Sequence, residues 1–190
     1  MNQNILNTKR IITWPKIING LTITRIFLGL PVVLTLKNGD NDIFILLMII
    51  SGLTDFFDGY FARKYNHKSV FGAKLDPLAD KIVLLGPMIW LVHEGIIPLW
   101  AIWLVISREL LITSWRSGKP LGEPASIQGK YKTTLQFLSI IFLFWPNNWG
   151  TTYSIYIIKK IGFTFFWISF ILALSSGLEY VFNQKVNRQN

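Results

Sequence analysis

The sequence predicts an all-α integral membrane protein with six transmembrane helices, and three observations carry that prediction. Of the 190 residues, 51% are hydrophobic and only 15% charged, with a mean hydropathy of +0.40, too apolar for an ordinary soluble domain. Apolar stretches recur at about Ile17–Leu36, Ile43–Phe57, Ile82–Val92, Ile96–Trp115, Leu135–Trp145 and Ile155–Phe182. The connections between them are alternately rich and poor in Lys and Arg, the pattern of a chain that crosses and recrosses a bilayer.

Each element has its own justification. The polar opening segment, about residues 1–13, carries Lys9 and Arg10 but neither a clean apolar core nor a small-residue cleavage site, so no removable signal peptide is expected. Trp14, Trp100, Trp145 and Trp149 sit near the ends of apolar stretches, where amphipathic rings favour the headgroup level. The second and third stretches are shorter than the ~20 residues of a spanning helix. Neighbouring polar residues must therefore be helical too and face protein or water. These two stretches flank the charged segment from Asp55 to Lys81. Gly86-Pro87 is a candidate kink in the third helix, and Trp145-Pro146-Asn147-Asn148-Trp149 reads as an interfacial turn before the long sixth stretch.

One side of the membrane receives Lys9, Arg10 and Lys16, then Arg63, Lys64, Lys68 and Lys74, then Arg116, Lys119, Lys130 and Lys132, and finally Lys185 and Arg188. The other has Lys37, little near His93 and Glu94, and the discordant pair Lys159–Lys160. Both termini and the Asp55–Lys81 segment are thus expected on the cytoplasmic face of a multi-pass plasma or inner membrane protein. Topology accounts for the formal charge of +9, and no basic stripe with interleaved aromatics points to nucleic acid. The absence of cysteine excludes disulfides and thiolate ligation and leaves the redox compartment open. No repeat or second domain is apparent, so residues 1–190 read as one membrane domain.

The charged segment carries the chemistry. In Asp55-Phe-Phe-Asp58-Gly59-Tyr-Phe-Ala62-Arg63 the polar and small residues recur at i, i+3, i+4, i+7 and i+8, one stripe on a helix. Asp55 and Asp58 become neighbours, and Gly59 and Ala62 permit close approach of a backbone or a ligand. Eight residues separate Arg63 from Gly72, and Asp76 and Asp80 follow at intervals of four. Pro77 lacks an amide donor and disfavours a helical Asp76, so a kink or a helix start is expected there. Four carboxylates at a membrane interface repel one another unless a counter-charge holds them, and Mg²⁺ or Mn²⁺ suits such oxygen ligands. The competing role for each Asp is a helix cap or an ion pair with Lys64, Lys74 or Lys81; for Arg63 it is a salt bridge to Asp58 or Asp55, compatible with gripping a phosphate oxygen. His67 reads as a solvated surface residue.

The order DxxDGxxAR, eight residues, GxxxDxxxD resembles the signature of the CDP-alcohol phosphotransferase family, and all eight signature positions match. The resemblance implies a helical, usually homodimeric membrane enzyme in which Asp55, Asp58, Asp76 and Asp80 hold two divalent cations. It implies further that Asp80 is the general base and that Asp55, Gly59, Arg63, Ser69 and Gly72 form the CDP-diacylglycerol site.

A second region points to the acceptor. Ser107-Arg108-Glu109-Leu110 leads to Arg116, and Gly129-Lys130-Tyr131-Lys132-Thr133-Thr134-Leu135-Gln136 follows. Arg108 and Arg116 share a helical face, whereas adjacent Arg108 and Glu109 are expected to point apart. An Arg inside a span needs a partner, and Arg108, Arg116, Lys130 and Lys132 suit an anionic acceptor phosphate. Lys130 and Lys132 also fit as topology charges against anionic lipid. REL, five residues, Arg, then GKxKTTxQ resembles the glycerol 3-phosphate branch of the family, as does Asn19-Gly-Leu21-Thr22-Ile-Thr-Arg25 with Pro31 beyond. This implies transfer of the phosphatidyl group of CDP-diacylglycerol to glycerol 3-phosphate. Inositol phosphate, serine and phosphatidylglycerol are alternative acceptors, and a small cation transporter is the reading outside enzymes. Membrane lipid is expected around the protein in every case.

Overall fold

The computed structural model describes residues 23–65, 70–117 and 127–187, and among them every regular element is a helix. Helix α1 covers residues 23–38, and α2 runs Asn41–Tyr65, α3 Val70–His93, α4 Leu99–Ser117, α5 Ile127–Leu143 and α6 Thr152–Asn187. Helices α2 and α3, of 25 and 24 residues, extend the two short apolar stretches into the charged segment between them, as the length argument requires.

Local chemistry explains the helix ends. After α1, Gly39 takes a φ of 79°, the Gly39 amide donates to the Leu36 carbonyl and the Asp40 amide reaches back to Thr35, a glycine-closed C-terminus that satisfies the orphan carbonyls. Gly95, with φ 68°, closes α3 in the same way, its amide donating to Val92 and the Ile96 amide to Leu91. Thr151 caps α6 through its hydroxyl, which accepts from the Ser154 amide at 3.3 Å. The preceding segment is the turn read from the sequence, with Trp145 and Trp149 packed edge to face at 5.5 Å. Gly86-Pro87 lies within unbroken α3.

The chain divides into two compact units, Met1–Pro87 and Met88–Asn190. In the first, α1 approaches α3 closely: a Cβ on Gly29 would lie 3.3 Å from Ile82, and one on Gly86 would collide with Val33. Val32, Leu36, Phe44, Ile45, Met48 and Val83 are buried. In the second, α6 packs on α5 and α4. Trp100 of α4 meets Trp167 and Phe170 of α6 with ring centroids 5.8 and 5.9 Å apart.

The α5–α6 contact rests on a glycine. A Cβ on Gly162 would lie 2.9 Å from the Leu143 amide nitrogen and 3.1 Å from the Phe142 carbonyl carbon, and the buried Ser139 hydroxyl donates to the Gly162 carbonyl at 2.8 Å. Small residues and interhelical hydrogen bonds of this kind hold helices together where the hydrophobic effect does not. Gly162→Val is expected to cost about 1–3 kcal/mol, seen as a lower unfolding temperature in detergent. An unchanged midpoint would show that the two helices separate without penalty.

Large apolar side chains are exposed along the helices, among them Phe27, Leu30, Trp103, Leu111, Tyr156 and Ile171. Among the described residues, one helical segment, Thr152–Leu178, is long and apolar enough to cross a membrane by length and composition; Lys81–His93 is a shorter apolar stretch.

Candidate active site

Helix α2 carries Asp55, Asp58, Gly59 and Arg63 on consecutive turns without interruption. Helix α3 begins at Val70, seven residues before Pro77, and continues through it. Gly72, Asp76 and Asp80 therefore lie on one helix, and the expected helix start at Pro77 gives way to a start at its N-terminal side. For Asp58, Gly59, Arg63, Gly72, Asp76 and Asp80 the description is of the helical backbone, and Ser69 and His67 lie outside the described residues. Among the described residues no cluster of three or more His, Cys, Asp or Glu side chains occurs.

Asp55 is the one metal-ligand candidate whose side chain is described. Its Oδ1 lies 3.1 Å from Nη1 of Arg25, with side-chain exposures of 57% for Asp55 and 2% for Arg25. The guanidinium is thus buried against α2 while the carboxylate remains largely accessible. The sequence offered Arg63 as an alternative ion-pair partner for Asp58 or Asp55 and did not pair Arg25 with this aspartate. The signal that finds Arg25 is its position inside the first apolar stretch, because a cation in such a place needs an anion. The donor set fits a hard divalent ion: two aspartates on each of two helices, oxygen ligands only, in a chain without cysteine.

The second cluster joins α4, α5 and α6 within the second unit. Glu109 Oε1 accepts from Arg108 Nη1 at 2.9 Å and from Lys132 Nζ. Arg108 Nη2 donates to Ser176 Oγ at 2.8 Å, and its buried Nε has no hydrogen-bond partner among the described residues. Gly177 leaves room for the guanidinium, since a Cβ there would lie 3.2 Å from Arg108 Nε. Arg108 and Glu109 were expected to point apart. Their Cβ atoms do diverge on the helix, but both side chains are long enough to bend back, and partial burial favours the ion pair. Lys132 is buried rather than splayed toward solvent. Arg116 and Lys130 are placed by backbone, near the C-terminal end of α4 and in the first turn of α5.

In the connection after α3, His93 stacks on Trp90 with centroids 4.7 Å apart and lies 3.5 Å from Glu94, a local surface arrangement. Lys159 donates to Asn147 at 2.8 Å, and Lys160 sits 5.9 Å from the Tyr156 ring centroid. The discordant lysine pair is therefore held by its own loop and helix.

A chain whose described elements are all helices, with two aspartate pairs in the DxxDGxxAR…GxxxDxxxD order, defines a class, and residues 16–175 match the model of the CDP-alcohol phosphatidyltransferase family. The chain belongs to that family, a family of membrane transferases. Its relatives narrow the comparison. It is 37% identical over 145 residues to the CDP-diacylglycerol–glycerol-3-phosphate 3-phosphatidyltransferase of Wigglesworthia glossinidia brevipalpis, covering 72% of this chain and 75% of the relative. It is 34% identical, with the same coverage, to the proteins of that name from Shigella flexneri and Salmonella typhimurium.

Proposed function

We propose that this chain transfers the phosphatidyl group of CDP-diacylglycerol to sn-glycerol 3-phosphate, releasing CMP and forming phosphatidylglycerophosphate. The observation that carries the reading is the shared name of relatives 34–37% identical across nearly three quarters of the chain. The Arg108–Glu109–Lys132 cluster supports it, because a phosphate monoester calls for a concentrated cationic site and a neutral alcohol does not.

Asp55, Asp58, Asp76 and Asp80 would hold two divalent cations, Mg²⁺ or Mn²⁺, which supply neutralisation of the pyrophosphate charge when bound. Asp80 accepts the proton of the incoming primary hydroxyl. The hydroxyl oxygen forms a bond to the phosphatidyl phosphorus as the bond to the CMP oxygen breaks. Asp55, Gly59, Arg63, Ser69 and Gly72 form the CDP-diacylglycerol site, with Arg63 binding phosphate oxygen by charge-assisted hydrogen bonds. Arg108, Arg116, Lys130 and Lys132 bind the acceptor phosphate and so orient the hydroxyl.

The active chain is a homodimer of single membrane domains in the plasma or inner membrane. Each has six spans, with both termini and the active site cytoplasmic. The Lys/Arg asymmetry of the connections and the exposed apolar side chains support this arrangement. One substrate carries acyl chains and the other is water-soluble, so the site opens to lipid as well as to cytoplasm.

The test is CMP release by the purified protein in detergent with CDP-diacylglycerol, comparing glycerol 3-phosphate, inositol phosphate, serine and phosphatidylglycerol. Release is expected with glycerol 3-phosphate alone, to stop on chelation, and to return with Mg²⁺ or Mn²⁺. Release dependent on another acceptor would overturn the acceptor assignment, and metal-independent release would overturn the aspartate-bound cation pair.

A further inference from the structure

We propose that Glu109 is a positioning residue of the acceptor subsite, whose carboxylate bridges Arg108 and Lys132 and so fixes the two cations that receive the acceptor's phosphate. The inference rests on the function proposed above and adds a residue to it. One oxygen of Glu109 takes hydrogen bonds from cations on two helices, Arg108 of α4 and Lys132 of α5. Side-chain exposures are 14% for Arg108, 20% for Glu109 and 5% for Lys132. Two like charges this enclosed repel one another, and a buried ammonium is costly without an anion beside it. The carboxylate removes both difficulties and still leaves the trio with one net formal positive charge. It also sets the separation of the two donors, since both converge on the same oxygen.

The rest of the cluster serves the same end. Ser176 holds the second guanidinium nitrogen of Arg108 at 2.8 Å, and Gly177 admits the side chain between α4 and α6. Arg108 is thereby restrained from two sides, on Glu109 and on Ser176, which preorganises it for a planar, bidentate grip on a phosphate. Glu109 itself need not touch the substrate.

Steady-state kinetics of E109A, E109Q and the double variant E109Q/K132M test this against K132M and the parent protein, with CMP release as readout and glycerol 3-phosphate and CDP-diacylglycerol varied separately. E109A is expected to raise the KM for glycerol 3-phosphate roughly tenfold or more, as for loss of a charge-assisted hydrogen bond, with the KM for CDP-diacylglycerol within about twofold. E109Q is expected to fall between, because its amide oxygen still accepts one hydrogen bond. If Glu109 acts through Lys132, the double variant loses less than the product of the two single losses. Should E109A fail to fold, E109Q and the cycle carry the same test. An unchanged or lowered KM for glycerol 3-phosphate in E109Q would overturn the proposal, making Glu109 a competing anion. Equal loss toward both substrates would overturn it as well, making the residue a general prop. If the parent protein releases no CMP with glycerol 3-phosphate, the proposed function itself fails, an outcome distinct from either.

Discussion

Asp80→Asn is expected to lower turnover by about 10²–10⁴-fold, the contribution of a positioned general base, while binding of CDP-diacylglycerol remains measurable. The substitution keeps the size of the side chain and its oxygen but removes the group proposed to take up the hydroxyl proton. Asp80 stands one helical turn beyond Asp76 on a helix that continues through Pro77, so the backbone presenting it does not depend on a break at the proline. Its neighbour Ala79 is fully buried. Single-turnover CMP formation with saturating glycerol 3-phosphate isolates the chemical step. Near-normal rates in Asp80→Asn would remove this residue from the role of base.

The second large effect is an asymmetry between the partners of the Arg25–Asp55 pair. Asp55→Ala is expected to abolish measurable turnover through loss of a proposed metal ligand and, independently, to lower the stability of the metal-free protein by about 1.5–3 kcal/mol, the scale of a hydrogen bond to a charged group. The stability term arises because the residue left behind is Arg25, 2% exposed. Arg25 has interactions beyond Asp55, so the expected cost lies below that of stripping a buried charge bare. Arg25→Met leaves behind an aspartate that is 57% exposed and therefore hydrated, while an apolar side chain of similar reach fills the buried site. Its expected cost is small, in line with apolar replacement of buried ion pairs. Thermal unfolding in detergent with chelator present reads the difference. The Arg25→Met/Asp55→Ala double variant should resemble Arg25→Met, because the charge that made Asp55→Ala costly is gone. Equal destabilisation by the two single variants would show that the pair acts through packing alone.

Much of the helical structure was legible because its signals are local. The i, i+3, i+4 stripe from Asp55 to Arg63 lies on one uninterrupted helix, and the short apolar stretches around it lengthened into the charged segment for the reason their length implied. Pro77 shows the limit of that logic. A proline disfavours helix at its own and the preceding residue, yet α3 starts at Val70 and holds Pro77 as its eighth residue, so the helix continues although the proline forgoes one intrahelical hydrogen bond.

By itself the sequence determined the helical class, the order of the aspartates and the family, since periodicity and motif spacing are properties of one stretch of chain at a time. Only the tertiary structure decided that Arg25 meets Asp55 across 30 positions, that Lys132 of α5 turns to Glu109 of α4, and that α5 and α6 touch at Gly162. The physical reason is that partner choice depends on the rotation of each helix about its axis. In a chain with apolar residues on several faces of each helix, hydropathy leaves that rotation open. Packing of small residues and the need of each buried charge for a counter-ion set it, and both require all the helices in place.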